Sequence, residues 1–202
     1  MKKLESLLKR STRNHYDGFL LNVSNSSWKK IHKHARNSVR KAEKMGVTVE
    51  RSYDLEEFRE VFSETRMHTF PKALANYQVL LLAKHNDQTI AGILLEKAWP
   101  VIRYKHASSN KKGKAMQANS LLLWKAAELF EKQGYRYIVL GWSSERGIEH
   151  FKEEFATEYL LVPQHFWGFM DKSINKNILI IIEDDPLGVR KRWEKKNKEV
   201  KK

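Results

Sequence analysis

The stretch "YQVLLLAKHNDQTIAGILLEKAW" (77–99) constrains the fold more than any other part of the chain. Two apolar runs flank the turn-forming "HNDQ", a pattern that specifies two paired strands. "VIRYKHAS" (101–108) follows at once as a third strand. Three strands joined this closely form an antiparallel meander, and everything else must pack around it.

The remaining segments read as alternating strands and helices. "YDGFLLNV" (16–23) is a first strand, and "SNSSWKKIHKHARNSVRKAEKMG" is one long helix with Ser26 as N-cap and Gly46 at the C′ position. Its apolar face is Trp28, Ile31, Ala35, Val39 and Ala42, with Lys29, Lys33, Arg36, Arg40 and Lys44 largely outside it. "VTVERS" (47–52) is a strand, and Asp54 caps a helix through about Met67. Beyond the meander, a polar loop (109–119) leads to the helix "SLLLWKAAELFEKQG", with Asn119 as its N-cap and Gly134 at its close. Then come the strand "YRYIVLGW" (135–142), a helix, and the strand "EYLLVPQHFWGFM" (158–170), where Pro163 marks an edge or a bulge. A short helix or strand precedes a basic tail. The order predicts an α/β (α+β) fold: a mixed, mostly antiparallel sheet flanked by helices. It fits one domain over residues 1–170, with residues 171–202 as a C-terminal extension.

Net charge narrows the partners. The chain carries 38 Lys and Arg against 24 Asp and Glu, a balance of +14. Residues 28–46 hold seven basic residues and one acid, and residues 189–202 hold eight and two, so these two stretches supply twelve of the fourteen charges. Such local basicity suits phosphate-bearing partners: tRNA, a nucleotide-linked substrate or an anionic membrane surface. A solvated lysine-rich face and tail is the ordinary alternative. No cysteine is present, which removes disulfides and thiolate metal sites and fits a reducing compartment. "HKH" (32–34), with no carboxylates or cysteines in support, is a weak metal signal, and no metal is expected. Neither a signal peptide nor a membrane-spanning segment is read, so a cytoplasmic location is expected. P-loop, nucleophile-elbow and dinucleotide motifs are all missing.

Chemistry is suggested by "GIEHFKEEF" (147–155). At helical spacing Ile148, Phe151 and Phe155 form one apolar stripe. Glu149, His150, Glu153 and Glu154 point away from it, yet Lys152 falls on its margin. A lysine there either snorkels, with its stem on apolar surface and its ammonium in water, or presents a fixed cation where water is scarce. The second arrangement stabilises a developing oxyanion.

Three stretches carry a family resemblance: "HARNSVRKAEKMGVTVERS" (34–52), "FSETRMHTF" (62–70) and "ANSLLLWKAAELFEKQGYRYIVLGWSSERGIEHFKEEFATE" (118–158). The sequence resembles the Fem branch of the GNAT acyltransferases over about residues 17–170, and within that branch its second module. Members of the branch transfer amino acids from aminoacyl-tRNA to peptidoglycan precursors, and related proteins occur in polysaccharide gene clusters. The resemblance implies that Lys152 stabilises the oxyanion at the aminoacyl end of the tRNA, with Phe151 as its packing or stacking neighbour. It also implies that Arg66 helps bind a nucleotide-linked acceptor, a task suited to a bidentate guanidinium. Fem-type proteins usually carry two modules, so a homodimer or a companion GNAT-like subunit is an expected partner.

Other candidates come from residue chemistry. Arg36 and Arg40, one turn apart, form a row suited to phosphates. The loop 109–119 stands where GNAT acetyltransferases cradle the coenzyme A pyrophosphate, but it has only Gly113 and lacks the family's Gln/Arg-x-x-Gly-x-Gly/Ala pattern; Lys111, Lys112 and Lys114 remain able to meet phosphates. His106 and His165 are possible bases for the attacking amine. Trp142 and Trp167 are candidates for stacking at a cleft, and Trp124 belongs to the core. The leading expectation is therefore a Fem-like transferase that moves an aminoacyl or acyl group to an amine of a cell-envelope or nucleotide-sugar precursor. It would hold no tightly bound cofactor and would take aminoacyl-tRNA or acyl-CoA as donor. An acyl-CoA-dependent N-acetyltransferase and a non-catalytic tRNA- or partner-binding module are the alternatives.

Overall fold

The meander forms as its turn chemistry requires. In the computed structural model, β1 spans His15–Asn22, β2 Thr48–Ser52, β3 Gln78–His85, β4 Gln88–Ala98 and β5 Val101–Ser109. The structure describes residues 15–63, 72–141, 143, 145–163 and 181–182, with backbone alone at 15–18, 63, 159–163 and 181–182. Asn86 and Asp87 take φ of 50° and 60°, the left-handed pair that a two-residue hairpin needs. The apolar runs are continuous because both faces of these strands are covered. Val79, Leu81, Ala83, Ile93 and Leu95 join the main core, while Leu80, Leu82 and Leu94 join a second cluster with Leu55, Phe58 and Phe62.

The helices are α1 (Ser27–Lys30), α2 (Lys33–Lys44), α3 (Leu55–Ser63), α4 (Lys111–Ala115), α5 (Ala118–Lys132) and α6 (Arg146–Phe155). Three more strands, β6 (Tyr137–Gly141), β7 (Glu158–Pro163) and β8 (Ile181–Ile182), complete one sheet in the order β2-β3-β4-β5-β6-β1-β7-β8. β1 thus lies between β6 and β7, antiparallel to both. Helices α2, α5 and α6 contribute to the main core on one face, and α3 covers β4 and β5 on the other. This is the mixed, mostly antiparallel α/β arrangement that the sequence predicts. Pro163 ends β7 opposite His15, and Ile181–Ile182 bring part of the expected extension into the sheet.

Helix ends follow their caps. The Asp54 side chain accepts from the Glu56 N–H at 2.8 Å, as an N-cap does. Gly46 and Gly134 sit at φ of 76° and 79°, and each closes its helix with the paired bonds of a Schellman motif: Gly46 N to Glu43 O with Val47 N to Ala42 O, and Gly134 N to Glu131 O with Tyr135 N to Phe130 O. At the sheet edge, the Lys84 ammonium bridges Glu50 (2.7 Å) and Glu57 (3.4 Å), tying β2 and α3 to β3. The hydrogen bond to Glu50, ahead of the opposing effect of burial, raises the Lys84 pKa above the usual lysine value.

Four sequence expectations need correction. The single helix expected over residues 24–46 is two helices, broken at Ile31 and His32, whose ψ angles of 155° and 147° are extended. The break buries Ile31 and makes His32 the cap of α2, its Nδ1 accepting from the His34 N–H. Ser26 makes no side-chain cap bond. The loop expected at 109–119 contains α4, capped by Asn110. Asn119 accordingly lies inside α5 rather than at its N-cap; its amide donates to Ser109 Oγ at 3.2 Å. The residue before α5 is Gln117, held at φ 60°.

Arg36 stabilises the helix break. Its guanidinium donates to the carbonyls of Trp28 (3.4 Å), Lys29 (3.2 Å) and Ile31, the acceptors left bare where α1 ends. Arg36→Ala is expected to cost about 2 kcal/mol, the scale of a charge-assisted hydrogen bond, read as a lower urea midpoint at constant slope. Arg40, which stacks on Trp28 at 5.5 Å, should cost about 0.5–1 kcal/mol when replaced by alanine.

Candidate functional site

Two parallel strands part company in the middle of the sheet. β5 and β6 pair over only three rungs, Val101↔Tyr137, Ile102↔Ile138 and Arg103↔Val139. Each strand then bulges. In β5, Tyr104 and His106 face consecutive residues of β4, which makes Lys105 the inserted residue. In β6, Val139 and Gly141 face consecutive residues of β1, which makes Leu140 the inserted one. A bulge bends its strand and increases the local twist. Two bulges just past the last shared rung open the sheet there, at the carboxyl ends of parallel strands, where α/β folds place ligand crevices.

Helix α6 lies on the main-core face of this region. β6 and β7 run in the same direction on either side of β1, so α6 is the crossover that joins them. Phe155 is fully buried and Phe151 half-buried; their rings are 5.2 Å apart. Tyr104 and Ala107 of β5 pack on the same core as Phe151. Lys152 is 8% exposed. It occupies one margin of the buried stripe; Glu154, expected on the outer face, is itself buried and occupies the other margin, about 160° away around the helix.

The Glu154 margin is fastened to α2. Its carboxylate meets His34 Nδ1 at 2.8 Å and His150 Nε2 at 3.2 Å, and its backbone carbonyl accepts from the His32 N–H at 2.8 Å. The "HKH" run therefore serves a helix cap and a helix seam. Among the described residues no group of three His, Asp or Glu side chains is arranged to hold a metal ion.

FemX superposes with a TM-score of 0.57 at 14% identity, covering 71% of this chain and 59% of FemX. The C-terminal DUF2156 domain of a lysylphosphatidylglycerol synthetase candidate from Agrobacterium fabrum gives 0.56 at 16% identity, covering 82% of this chain and 68% of that one. L-PGS from Bacillus licheniformis gives 0.52 at 14% identity, covering 81% and 65%. The chain has the Fem-type GNAT fold. It spans 59% of the length of FemX, and the likeness is one of fold. No protein-family model matches the sequence, and no curated protein is similar to it in sequence.

Within the Fem-type fold, the expected site residues fall in different places. Lys152 and Phe151 share α6, Lys152 buried and Phe151 half-buried. Arg36 is committed to backbone carbonyls, so the two-arginine phosphate row reduces to the exposed Arg40. Lys112 and Lys114 are exposed on α4, beyond the end of β5. His106 is half-buried, its ring 5.7 Å from that of Phe62. That contact places it on the α3 face, across the sheet from α6. Arg66, Trp142, His165 and Trp167 lie outside the described residues. Trp124 is core, as expected, and its indole N–H donates to Glu128 at 2.8 Å.

Sequence reading missed a charged group on the α3 face. Glu96, buried on β4, meets Arg103 Nη1 at 3.4 Å and Lys105 Nζ at 4.0 Å, and accepts from Gln78 Nε2 at 3.2 Å. Arg103 is the last β5 residue paired with β6, and Lys105 is the bulge residue. Simple alternation along "RYKH" separates His106 from Arg103 and Lys105. The bulge brings all three to one face.

Proposed function

We propose that this chain catalyses acyl transfer to an amine, with aminoacyl-tRNA as donor and an amine-bearing cell-envelope or nucleotide-linked sugar precursor as acceptor. The observation that carries this reading is Lys152: a cation 8% exposed on the crossover helix α6 of an acyltransferase fold. In the reaction, the acceptor amine attacks the ester carbonyl, and the carbonyl oxygen becomes an oxyanion. The Lys152 ammonium stabilises that charge best where water is excluded. Collapse of the intermediate forms the amide and releases the ribose oxygen, which leaves with the proton lost by the amine.

The end of β5 favours aminoacyl-tRNA over acyl-CoA. An open pyrophosphate cradle needs glycines that let backbone N–H groups reach the phosphate. Here the Asn110 side chain already accepts from the Gly113 N–H at 2.8 Å. A Cβ on Gly113 would lie 2.2 Å from the Ile90 carbonyl oxygen, so this glycine serves a close helix–strand contact. The basic residues of α1, α2 and α4 suit the tRNA backbone.

The test is a transfer assay with tRNA charged with a radiolabelled amino acid and a nucleotide-linked muropeptide as acceptor. Label should move from RNA to the peptide. Transfer from labelled acetyl-CoA alone would instead identify an N-acetyltransferase. Equal binding of charged and uncharged tRNA, with nothing transferred from either donor, would identify a binding module.

A further inference from the structure

We infer that one end of the sheet is a docking surface for an anionic lipid bilayer, with Tyr53, Tyr77 and Trp99 as its interfacial anchors. The surface is independent of the donor and acceptor proposed above. Among the described residues, the large apolar or aromatic side chains left exposed are Met45, Tyr53 (75%), Tyr77 (54%) and Trp99 (55%). Scattered singly, such residues need no explanation. Here three of them share one end of the sheet. Tyr53 follows the last residue of β2, Ser52, which pairs with Leu80 near the start of β3. Tyr77 precedes β3, and its carbonyl accepts from the Lys97 N–H at 2.7 Å, near the end of β4. Trp99 is in the turn from β4 to β5.

The three also share a face. Val79 and Leu95 belong to the main core; Tyr77 and Lys97 stand two residues from them, so strand alternation puts both on that side of the sheet. Arg51 lies opposite Leu81, another main-core residue, and its guanidinium is 5.0 Å from the Tyr53 ring. The Trp99 ring meets Tyr135 edge-on at 5.2 Å, and a Cβ on Gly134 would lie 3.6 Å from its Cη2, so the end of α5 stands beside it. The row runs from β2 to β6, four strand spacings or roughly 19 Å.

Cations accompany the rings. Lys132 in the last turn of α5 and Arg136 just ahead of β6 join Arg51 and Lys97 at this end. Among the described residues none of these four is ion-paired. The nearby acids serve the backbone: Asp54 caps α3, and Glu131 accepts from the Asn25 N–H at 2.7 Å. Four cations against two acids leave the end positive. Amphipathic rings level with Lys and Arg heads suit the headgroup layer of an anionic bilayer. Base stacking needs rings that line a groove along a basic track. These rings stand instead on a turn and two strand ends, and they project.

The test is flotation of the full chain with vesicles of phosphatidylcholine, or of phosphatidylcholine with about one third phosphatidylglycerol, at roughly physiological salt. The chain should float only with the anionic vesicles. Trp99→Ser should weaken binding by about tenfold and Tyr53→Ser by about threefold. Lys97→Gln/Arg136→Gln should weaken it by about twentyfold, near fivefold per cation. Lys112→Gln/Lys114→Gln removes the same charge from α4, at the far end of β5, and should stay within about twofold of the parent. Lipids brominated near the headgroup should quench the parent's tryptophan fluorescence more than that of Trp99→Phe. Tyr53 and the two cations are surface positions, so the test holds even where Trp99→Ser fails to fold. The inference is overturned if anionic vesicles do not bind, or if the α4 variant loses as much as the sheet-end variants, which would assign binding to diffuse charge. It is equally overturned if the sheet-end substitutions weaken binding to oligouridine and leave vesicle binding unchanged, or if they only change the sedimentation of the free chain. Those results would make the partner an RNA or a second copy.

Discussion

Lys152→Met is expected to lower the rate of acyl transfer by about 10²–10³-fold, the loss that follows removal of one oxyanion-stabilising group. Methionine matches the length of the lysine stem and suits a position that is 8% exposed. The variant should therefore fold, and a cooperative urea transition checks that it does. If the ammonium acts only on the transition state, kcat and kcat/KM fall together and KM stays put. A rise in KM alone would mean that Lys152 holds the substrate without aiding the chemical step. A rate within about twofold of the parent would leave the lysine as a structural element and remove it from the mechanism. Lys152→Arg retains the charge but enlarges the head group, and a buried site should tolerate it poorly.

Gly113→Ala should be the most damaging glycine-to-alanine change among the described residues. The added carbon would stand 2.2 Å from the Ile90 carbonyl oxygen, 3.0 Å from the carbonyl carbon and 3.2 Å from Ser109 Cβ. The oxygen belongs to β4, whose hydrogen bonds to β3 and β5 prevent it from yielding. Helix α4 must lift instead, straining the 3.0 Å bond from the Asn110 N–H to that same oxygen. Overpacking of this kind costs about 1–3 kcal/mol, a fall in Tm of roughly 2–12 °C for a chain of this size. Lys112→Ala, one residue away and exposed, should stay within about 0.5 kcal/mol of the parent. Calorimetric scans of the two variants check this. Equal midpoints would mean that the close contact between α4 and β4 is not as described.

The contrast between these residues shows what sequence can convey. The hairpin at Asn86–Asp87, the Schellman glycines and the Asp54 cap were legible because each is a local bargain between a residue type and a backbone angle. Lys152 was legible because helical periodicity exposes any charge placed on an apolar margin. The break at Ile31–His32 was hidden, because the residues that stabilise it, Arg36 and the Glu154 carbonyl, are distant in sequence or indistinguishable from ordinary surface groups. The charged group of Glu96, Arg103 and Lys105 was hidden for a related reason. A bulge is defined by the register of a neighbouring strand, and no feature of "VIRYKHAS" announces that one residue will be inserted there. Side-chain alternation fails at such points, which is also where the sheet opens.

The position of β1 has a bearing on how the chain acquires its shape in the cell. Both neighbours of this strand are made long after it: Leu20 pairs with Val139 on one side and with Glu158 on the other. The meander, whose contacts are local, can assemble while synthesis continues. The centre of the sheet must wait for strands made more than a hundred residues after β1, so long-range closure should govern the folding rate. Until then an apolar strand ending in "FLLN" stays without partners, a natural target for chaperones that bind extended greasy segments.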